Sequence, residues 1–312
     1  MSTFCRLGVA SCFRLFCAAL SLIVTGVADA DRPGDLSKEW LEAVRLEEEA
    51  LTVQREDPQA AVRRYLEASR HFERAADELD GLPMALWRSA RCAWLAGYAM
   101  ADDDMEGRLN NFKRAEELAT RGLERDPECA ECMLWKFSAM GRRRTSVGVW
   151  KGIRQVAEMA ALLDRAIALK PTHADSDWNS TLGNLYYASA SFYRVVPEWF
   201  WLKWFLGARG DRARARVDIR AALALHPMRV DYQVELGSQL LCEGTTGAEK
   251  EAPLQAGREI LERALLAEPQ RRDDTRDLEA ARIMLQEPAR ACGYTGDVWV
   301  EVSEADVRDA EF

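Results

Sequence analysis

Histidine is scarce in this chain of 312 residues, and the sequence patterns of the common catalytic sites are missing. The three histidines are His71, within a predicted helix, and His173 and His226, next to prolines, where we expect solvated turn or cap side chains. The chain contains no HExxH, G-x-S-x-G, P-loop or G-x-G-x-x-G sequence. Because a catalytic site needs a concentrated set of reactive polar groups, we expect no enzyme activity, no cofactor and no metal site.

Basic residues are outnumbered, with 42 Lys and Arg against 51 Asp and Glu and a net charge of -9. Such a balance argues against binding of nucleic acid or of an anionic membrane through overall charge. The hydrophobic fraction, 48%, is that of an ordinary globular protein with enough apolar material for a core.

Long hydrophobic runs are confined to the N-terminus. Arg6 and Arg14 come before the apolar run Leu15–Val27, and Ala28-Asp29-Ala30 follows it. This order predicts a signal peptide over residues 1–30, and therefore a periplasmic or secreted protein. An uncleaved N-terminal anchor is the alternative.

Cysteine is limited to five residues beyond the predicted signal peptide: Cys92, Cys129, Cys132, Cys242 and Cys292. An odd number leaves at least one thiol unpaired within the chain, so we expect no disulfide framework. Cys129 and Cys132 share one face at the start of a predicted helix, which favours simple buried packing. A redox role and a disulfide, within this pair or from Cys92 to one of its members, are the alternatives.

The stretch Val156–Tyr187 shows the unit from which the chain is built. Its first half has apolar residues at spacings of three and four, the pattern of an amphipathic helix, and Pro171 ends that helix. Asp175 to Asp177 offer N-cap side chains for a second helical run containing Leu182 and Gly183. The unit is therefore a pair of antiparallel helices joined by a short turn.

This unit recurs along the chain. Each of four prolines has a small residue five positions before it and an apolar or small residue eight positions before it: Pro127, Pro171, Pro227 and Pro269. The same spacing therefore occurs four times. A fifth copy, Ala68, Phe72 and Ala75, has a displaced proline. Near the N-terminus, Asp57 and Pro58 predict the start of a helix. Glycine costs about 1 kcal/mol in a helix, so Gly183 and Gly237 predict close helix packing.

These residues resemble the tetratricopeptide repeat (TPR), whose signature has Leu-Gly, Tyr, Ala, Phe and Pro at fixed offsets. The prolines are 44, 56 and 42 residues apart, so the repeats carry insertions relative to the family repeat of about 34 residues. The resemblance implies an all-α, right-handed α-solenoid of TPR-like helical hairpins. We expect about five helix pairs and a closing helix over residues 31–290, followed by a loosely held tail over residues 291–312.

A closer similarity runs from about Arg63 to Gln286. The order of Cys132 and Trp135, a glycine-containing link, the run EMAALLDRAIALKP and the run LGNLYY resembles the regulator of microtubule dynamics family. It is also similar to exported bacterial TPR proteins, including the T component of tripartite ATP-independent periplasmic (TRAP) transporters. For an exported chain we do not expect a role on microtubules.

Two stretches have unusual composition. Residues 192–206 hold Trp199, Trp201 and Trp204, which either complete the core, line a hydrophobic ligand path or touch a membrane or a partner protein. Pro197 and Glu198 predict the start of a short helix there. Arg142, Arg143 and Arg144, with Lys151 and Arg154, form a basic cluster that is either a solvated face or a site for an acidic partner segment.

The expected function is that of a non-enzymatic scaffold that binds a protein or peptide on a concave surface lined by the helices that follow the prolines. The alternative is an accessory protein of a periplasmic transporter, similar to the T component, that handles a small hydrophobic ligand. A membrane-interface adaptor is the third possibility. The candidate binding residues are Trp87, Trp135, Lys136, Tyr187, Trp199, Trp201, Trp204 and Tyr232.

Overall fold

The computed structural model describes residues 37–79, 81–147, 155–176, 179–200, 203–204, 207–247, 250–269, 271–296 and 299–300. The predicted signal peptide therefore lies outside the described residues, as does the end of the predicted tail, residues 301–312. The part of the chain from residue 37 onward forms one compact unit.

Helices dominate the described residues. In chain order they are α1 (Lys38–Val53), α2 (Pro58–Glu78), α3 (Pro83–Ala99), α4 (Met105–Arg125), α5 (Ala130–Val147), α6 (Val156–Ala168), α7 (Thr181–Val195), α8 (Arg212–Leu225), α9 (Val230–Thr246), α10 (Glu251–Ala264) and α11 (Arg272–Gln286). A small antiparallel pair, β1 (Ala174–Ser176) and β2 (Asn179–Ser180), precedes α7. A 3₁₀ helix, Pro288–Gly293, follows α11.

Successive helices form five pairs, α1–α2, α3–α4, α5–α6, α7–α8 and α9–α10, with α11 packed on the end. The first helices of neighbouring pairs, from α3 onward, also contact one another directly. Because these helices approach one another across the stack, they form its inner layer. The all-α solenoid of TPR-like helical hairpins predicted from the sequence is confirmed.

The small residues ahead of the prolines hold this stack together. Three of the prolines are preceded, five residues earlier, by a fully buried alanine: Ala166, Ala222 and Ala264. The corresponding residues of the fifth copy, in α2, are also fully buried. Gly122, the equivalent residue before Pro127, lies against Cys132, with its Cβ position 2.6 Å from Sγ. The short side chains let adjacent helices approach closely, as their spacing predicted.

Both predicted close contacts at helical glycines are present. A Cβ on Gly237 would lie 2.4 Å from Cδ2 of Leu261, so α9 and α10 meet at this residue. A Cβ on Gly183 would lie 2.8 Å from Cδ2 of His226. Since real Cβ atoms do not approach this closely, a side chain at either position would have to displace its neighbour, and the close packing offsets the cost of glycine in the helix.

The helix starts follow the sequence signals in one case and depart from them in another. Asp57 caps α2 by accepting a hydrogen bond from the Ala60 amide at 2.8 Å, with Pro58 at the first helical position. The prediction that Asp175 to Asp177 cap α7 is wrong. Ser180 caps it, because β1 and β2 pair ahead of the helix and delay its start to Thr181.

The prediction of a loosely held tail from residue 291 does not fit the described residues. Ala291 and Tyr294 are buried in the core beside α9 and α11, and Val300 is buried as well. The amide of Val300 donates to the carbonyl of Gly293 at 2.7 Å, which closes this segment on itself. Residues 288–296 and 299–300 are named here the C-terminal segment.

Two disulfides are present where simple packing of the cysteines was the expectation, and one of them is the alternative left open for the Cys129 and Cys132 pair. Cys129 is bonded to Cys132, and Cys242 of α9 is bonded to Cys292 of the C-terminal segment. Cys92 is free and buried, which leaves one unpaired thiol, as the odd number requires. The second bond joins residues that are 50 positions apart, a proximity that appears only in the folded chain.

Candidate functional site

The inner layer presents an aromatic cluster made by α3 and α5. Trp94 stacks on Tyr98 with ring centroids 5.0 Å apart, and Trp135 of α5 lies 5.7 Å from Trp94. The guanidinium of Arg142, also on α5, lies 5.0 Å from the Tyr98 ring centroid and 5.8 Å from that of Trp94. Trp94, Tyr98, Trp135 and Arg142 are named here the inner aromatic cluster.

The surface of this cluster is partly open. Trp94, Trp135 and Arg142 are half-buried, whereas Tyr98 is buried beneath them. The indole Nε1 of Trp94 is shielded from solvent and has no hydrogen-bond partner among the described residues. The cluster therefore offers ring faces and a guanidinium in a fixed arrangement, which suits an apolar group beside a polar acceptor.

Two of the predicted site residues are not on a surface. Trp87 is only 5% exposed and packs on the ring of His173 and beside the disulfide of Cys129 and Cys132. Tyr232 is fully buried, and its hydroxyl donates to Oδ1 of Asn184 at 3.0 Å. Both residues are on the inward side of their helices, but neighbouring repeats cover that side, so neither ring is open to solvent in this structure.

Two other predicted residues lie on the inner layer but already have partners. Tyr187 stacks on Tyr232 with ring centroids 5.3 Å apart, and burial raises its pKa well above the ordinary value. Lys136 is 17% exposed and forms a 2.8 Å ion pair with Glu158 of α6. Five of the candidate binding residues lie outside the tryptophan-rich insertion: Trp87, Trp135, Lys136, Tyr187 and Tyr232. Of these, only Trp135 belongs to the inner aromatic cluster.

The tryptophan-rich insertion lies between α7 and α8. Trp199 is half-buried, Trp204 is 87% exposed, and Trp201 lies outside the described residues. Residues 197–199 are not helical, so the predicted helix start at Pro197 is wrong, and helical structure begins at Phe200. Trp204 therefore lies in solvent and does not belong to the inner aromatic cluster.

The histidines are less solvated than their sequence positions suggest. His226 is buried, and its Nε2 is 2.7 Å from the hydroxyl of Ser180, so the prediction of a solvated turn residue is wrong for it. His71 lies 2.8 Å from a carboxylate oxygen of Glu39 and is largely covered. His173 is the most exposed of the three and packs edge-on against Trp87.

Two side chains of the predicted basic cluster, Arg142 and Arg143, are among those that the structure describes. Arg142 belongs to the inner aromatic cluster, and Arg143 forms an ion pair with Glu116 of α4. Lys151 and Arg154 lie outside the described residues. The two arginines therefore point to different neighbours, one aromatic and one acidic.

A buried ionic network joins α9 to α11. Asp231 lies between Arg229 at 2.5 Å and Arg271 at 3.0 Å, and Arg271 is also 2.8 Å from Asp274. Burial alone would raise the pKa of Asp231, but Arg271 and Arg229 outweigh it and lower this pKa to about 2. Two arginines thus keep Asp231 ionised inside the protein.

Asp277 of α11 lies at the edge of this network and titrates in the opposite direction. Burial, with a smaller effect from the nearby Asp231, raises the pKa of Asp277 to about 8. Its closest partner is the hydroxyl of Tyr294, which donates to Oδ1, whereas the Arg271 guanidinium is 4.0 Å away. Asp277 is therefore a largely protonated carboxyl at neutral pH that holds the C-terminal segment through Tyr294.

Arg194 of α7 clamps the C-terminal segment from the other side. It is fully buried and forms a bidentate ion pair with Glu235 of α9, with both N–O distances 2.7 Å. The same guanidinium donates to the carbonyls of Ala291 at 2.6 Å and Tyr294 at 2.7 Å. Three elements that are distant in sequence are thus fixed by one side chain.

The last elements reach across the inner layer to the first repeats. The guanidinium of Arg276 of α11 lies 5.7 Å from the Tyr98 ring centroid of α3. The Cβ position of Gly296 is 3.4 Å from Nη2 of Arg142 and 3.7 Å from the hydroxyl of Tyr187. The C-terminal segment therefore borders the inner aromatic cluster and limits how much of the inner layer a partner can reach.

The described residues do not assemble any group of three or more His, Cys, Asp or Glu side chains suited to hold a metal ion. Cys92 is a buried thiol whose pKa is raised well above its ordinary value by burial and then by Glu47. A thiol held in its neutral form is a poor nucleophile. In the part of the chain that the structure describes, no helix is both long and apolar enough to cross a membrane.

Sequence reasoning missed Trp94, Tyr98, Arg194 and Asp277. Trp94 and Tyr98 stand at a four-residue spacing on a helix that was predicted, so their stacking on one face was available as a signal. Nothing in the sequence marks Arg194 or Asp277 as buried, because a single charged residue is normally solvated.

The helix pairs and their inner layer define a TPR-like repeat protein of the scaffold type. Residues 44–195 match the family model described as Regulator of microtubule dynamics protein 1-3, and the chain resembles that family over this range. The crystal structure of a thermophilic TPR protein of Thermus thermophilus is similar at 18% sequence identity and a TM-score of 0.46, covering 76% of this chain and 99% of that one. No curated protein sequence matches the chain significantly.

Proposed function

We propose that this protein is an exported, non-enzymatic scaffold that binds a segment of a partner protein at the inner aromatic cluster. The observation that carries the proposal is the half-buried trio of Trp94, Trp135 and Arg142, held in place by ring stacking on the inner layer. Tryptophan, tyrosine and arginine are the residue types that dominate binding energy at protein interfaces. Because the rings are already fixed, little ordering is needed when a partner binds.

The proposed partner segment places an apolar side chain against the rings of Trp94 and Trp135. A carboxylate or carbonyl beside that side chain would accept from the Arg142 guanidinium. The segment would run beside the C-terminal segment, which borders the cluster at Gly296. This arrangement favours an extended peptide over a broad protein surface.

Export is supported by the order of charge, apolar run and Ala-Asp-Ala in the first thirty residues. It is also supported by the two disulfides, since such bonds persist in oxidising compartments and are rare in the cytosol. Detection of the chain in a periplasmic or culture-supernatant fraction, without residues 1–30, tests this part of the proposal.

Binding is tested by affinity purification of the tagged chain from its own cells, followed by mass spectrometry. We expect one protein to co-purify, and Trp135→Ala and Arg142→Ala to weaken its binding by about tenfold to a hundredfold. Arg282→Ala removes an exposed arginine of α11 and serves as the control. Retention of the partner by both cluster variants would contradict the proposal, as would release of only a small apolar molecule on denaturation.

A further inference from the structure

The insertion between α7 and α8 is a loop whose two ends are fastened together. The amide of Gly210 donates to the carbonyl of Pro197 at 2.9 Å, and that of Asp211 donates to the carbonyl of Tyr193 at 3.0 Å. Glu198 adds a side-chain acceptor for the amide of Arg212 at 3.0 Å. Loops with such closed ends project from the elements that they connect.

One side of this loop is seated on the protein. Ala208 is buried in the core formed around α5, α6 and α7, and the Cβ position of Gly207 is 3.2 Å from Cβ of Ala157 in α6. Gly207 has φ of +77° and donates its amide to the carbonyl of Lys203 at 3.1 Å. A glycine with positive φ commonly ends a helical turn in this way.

The other side of the loop exposes two large aromatic rings. Phe200 is 74% exposed and Trp204 is 87% exposed, and residues four positions apart in a helical turn lie on the same face. Leaving both rings in water is unfavourable, because each could bury about 150–250 Å² elsewhere. An exposed aromatic pair of this kind marks a surface that contacts something else.

The loop carries two cations without an acidic partner. Lys203 and Arg209 are exposed and have no ion-pair partner among the described residues. Of the two acidic residues, Glu198 is 3.4 Å from Arg212, and Asp211 caps α8 by accepting a hydrogen bond from the Arg214 amide at 2.9 Å. The two unpaired cations stand out in a chain whose net charge is -9.

We propose that this loop docks on the surface of a lipid bilayer that contains anionic lipid. Phe200 and Trp204 enter the boundary between headgroups and acyl chains, where the indole of tryptophan is favoured because its N–H stays at the polar side, and where the phenyl ring buries apolar area. Lys203 and Arg209 contact the lipid phosphates. The loop is favoured as a membrane surface over a protein interface because its cations flank the exposed rings on a projecting turn and lack partner groups of their own.

The docking is measured with an environment-sensitive fluorophore attached to the variant Trp204→Cys in the otherwise complete chain. Cys5, Cys12 and Cys17 are replaced by serine in every variant. Labelling is then selective, because Cys92 is fully buried and the other four cysteines are disulfide-bonded. The probe is a vesicle of phosphatidylcholine, with or without phosphatidylglycerol. The same label on Met228→Cys, a site that is 81% exposed outside the loop, is the control.

We expect the label at position 204 to shift its emission to the blue on vesicles with phosphatidylglycerol, and the label at position 228 to remain unchanged. In vesicle flotation, Phe200→Ser combined with Trp204→Ser should lower the bound fraction about tenfold or more, whereas Leu266→Ser should not. Lys203→Glu with Arg209→Glu should remove the preference for anionic vesicles, whereas Arg258→Glu, on an exposed face of α10, should not.

The fluorophore reports insertion at its own position, so an N-terminal apolar segment present in every variant does not alter the comparison. No emission shift at position 204 overturns the proposal. Loss of a co-purified protein from the Phe200→Ser and Trp204→Ser variant, with vesicle binding unchanged, also overturns it and assigns the loop to a protein partner.

Discussion

Removal of the Arg194 side chain tests how the last repeat is held together. Arg194→Ala leaves the buried carboxylate of Glu235 without a counter-charge and leaves the carbonyls of Ala291, Cys292 and Tyr294 without their donor. Breaking a buried ion pair on one side costs about 3–5 kcal/mol. For a chain of this size each kcal/mol lowers Tm by about 2–4 °C, so we expect a fall of about 10 °C.

The matched control is another Arg–Glu pair between neighbouring helices. Arg216 of α8 lies 2.8 Å from Glu243 of α9, but the Arg216 side chain is 41% exposed, so Arg216→Ala should change the free energy of unfolding by about 1 kcal/mol or less. Both variants are compared by urea denaturation at the same pH. The difference between them isolates the effect of burial on the same chemistry.

A double variant separates the ion pair from the contacts to the C-terminal segment. Arg194→Met with Glu235→Leu replaces both charges by apolar groups, a change that is often close to neutral when only the pair is at stake. Here the three carbonyls would still lack a donor, so we expect only part of the lost stability to return. Amide hydrogen exchange of residues 288–296 should accelerate in both variants.

Burial raises the pKa of Glu235 even with Arg194 present. Without the arginine, Glu235 is expected to take up a proton, so the stability loss of Arg194→Ala should be larger at pH 8 than at pH 5. A loss below about 1 kcal/mol, or unchanged hydrogen exchange in residues 288–296, would refute the assignment of Arg194 as the clamp.

Three further changes follow from the same contacts. Gly237→Ala should destabilise the protein by about 1–3 kcal/mol in thermal melts. Gly141→Ala should be neutral or slightly stabilising, because the nearest atom to the Cβ position of Gly141 is Cε of Met159 at 3.6 Å. Equal effects of the two changes would contradict the close approach of α9 and α10. The pKa of Asp277 is about 8 in the folded chain and about 4 in the unfolded chain. The free energy of unfolding should therefore be highest below pH 4 and fall by ~1.4 kcal/mol per pH unit as pH rises toward 8. Asp277→Asn should flatten this slope in urea titrations at pH 5 to 8, and an unchanged slope would exclude this carboxyl as its source. Cys242→Ser should cost about 2–4 kcal/mol and exceed the cost of Cys129→Ser, because its bond closes a loop of 50 residues against one of three; the reverse order in denaturant melts would contradict the described pairing.

The sequence was sufficient for the architecture because the architecture rests on local signals. The small residues at a fixed distance before Pro171, Pro227 and Pro269 report where two helices must approach, and that requirement is expressed in side-chain size alone. Asp57 likewise predicts a helix start, since a cap and its amide are three residues apart.

Which face of a helix binds a partner is not a local property. The helical stripe correctly showed that Trp87 and Tyr232 lie on an inward side, but it does not reveal what covers that side. The cover comes from other repeats and from the C-terminal segment, which has no helical periodicity to announce that it folds back. For the same reason, the pairing of Cys242 with Cys292 could not be read from spacing.

Buried charges were equally hidden. In the sequence, Arg194 and Asp277 look like ordinary surface residues. Arg194 is buried against Glu235, which is 41 positions away, and Asp277 is buried against Tyr294, which is 17 positions away. A charged side chain remains in a core only when such partners are present, so these contacts mark where distant segments meet.

Site-specific photo-crosslinking at the inner aromatic cluster is the most direct test of the scaffold role. A photoreactive amino acid replaces Trp135, and a second chain carries it at Val217, which is 66% exposed on α8 away from the cluster. The account predicts a covalent adduct with one partner protein from position 135 and none from position 217. Adducts of equal yield from both positions, or none from position 135, would contradict it.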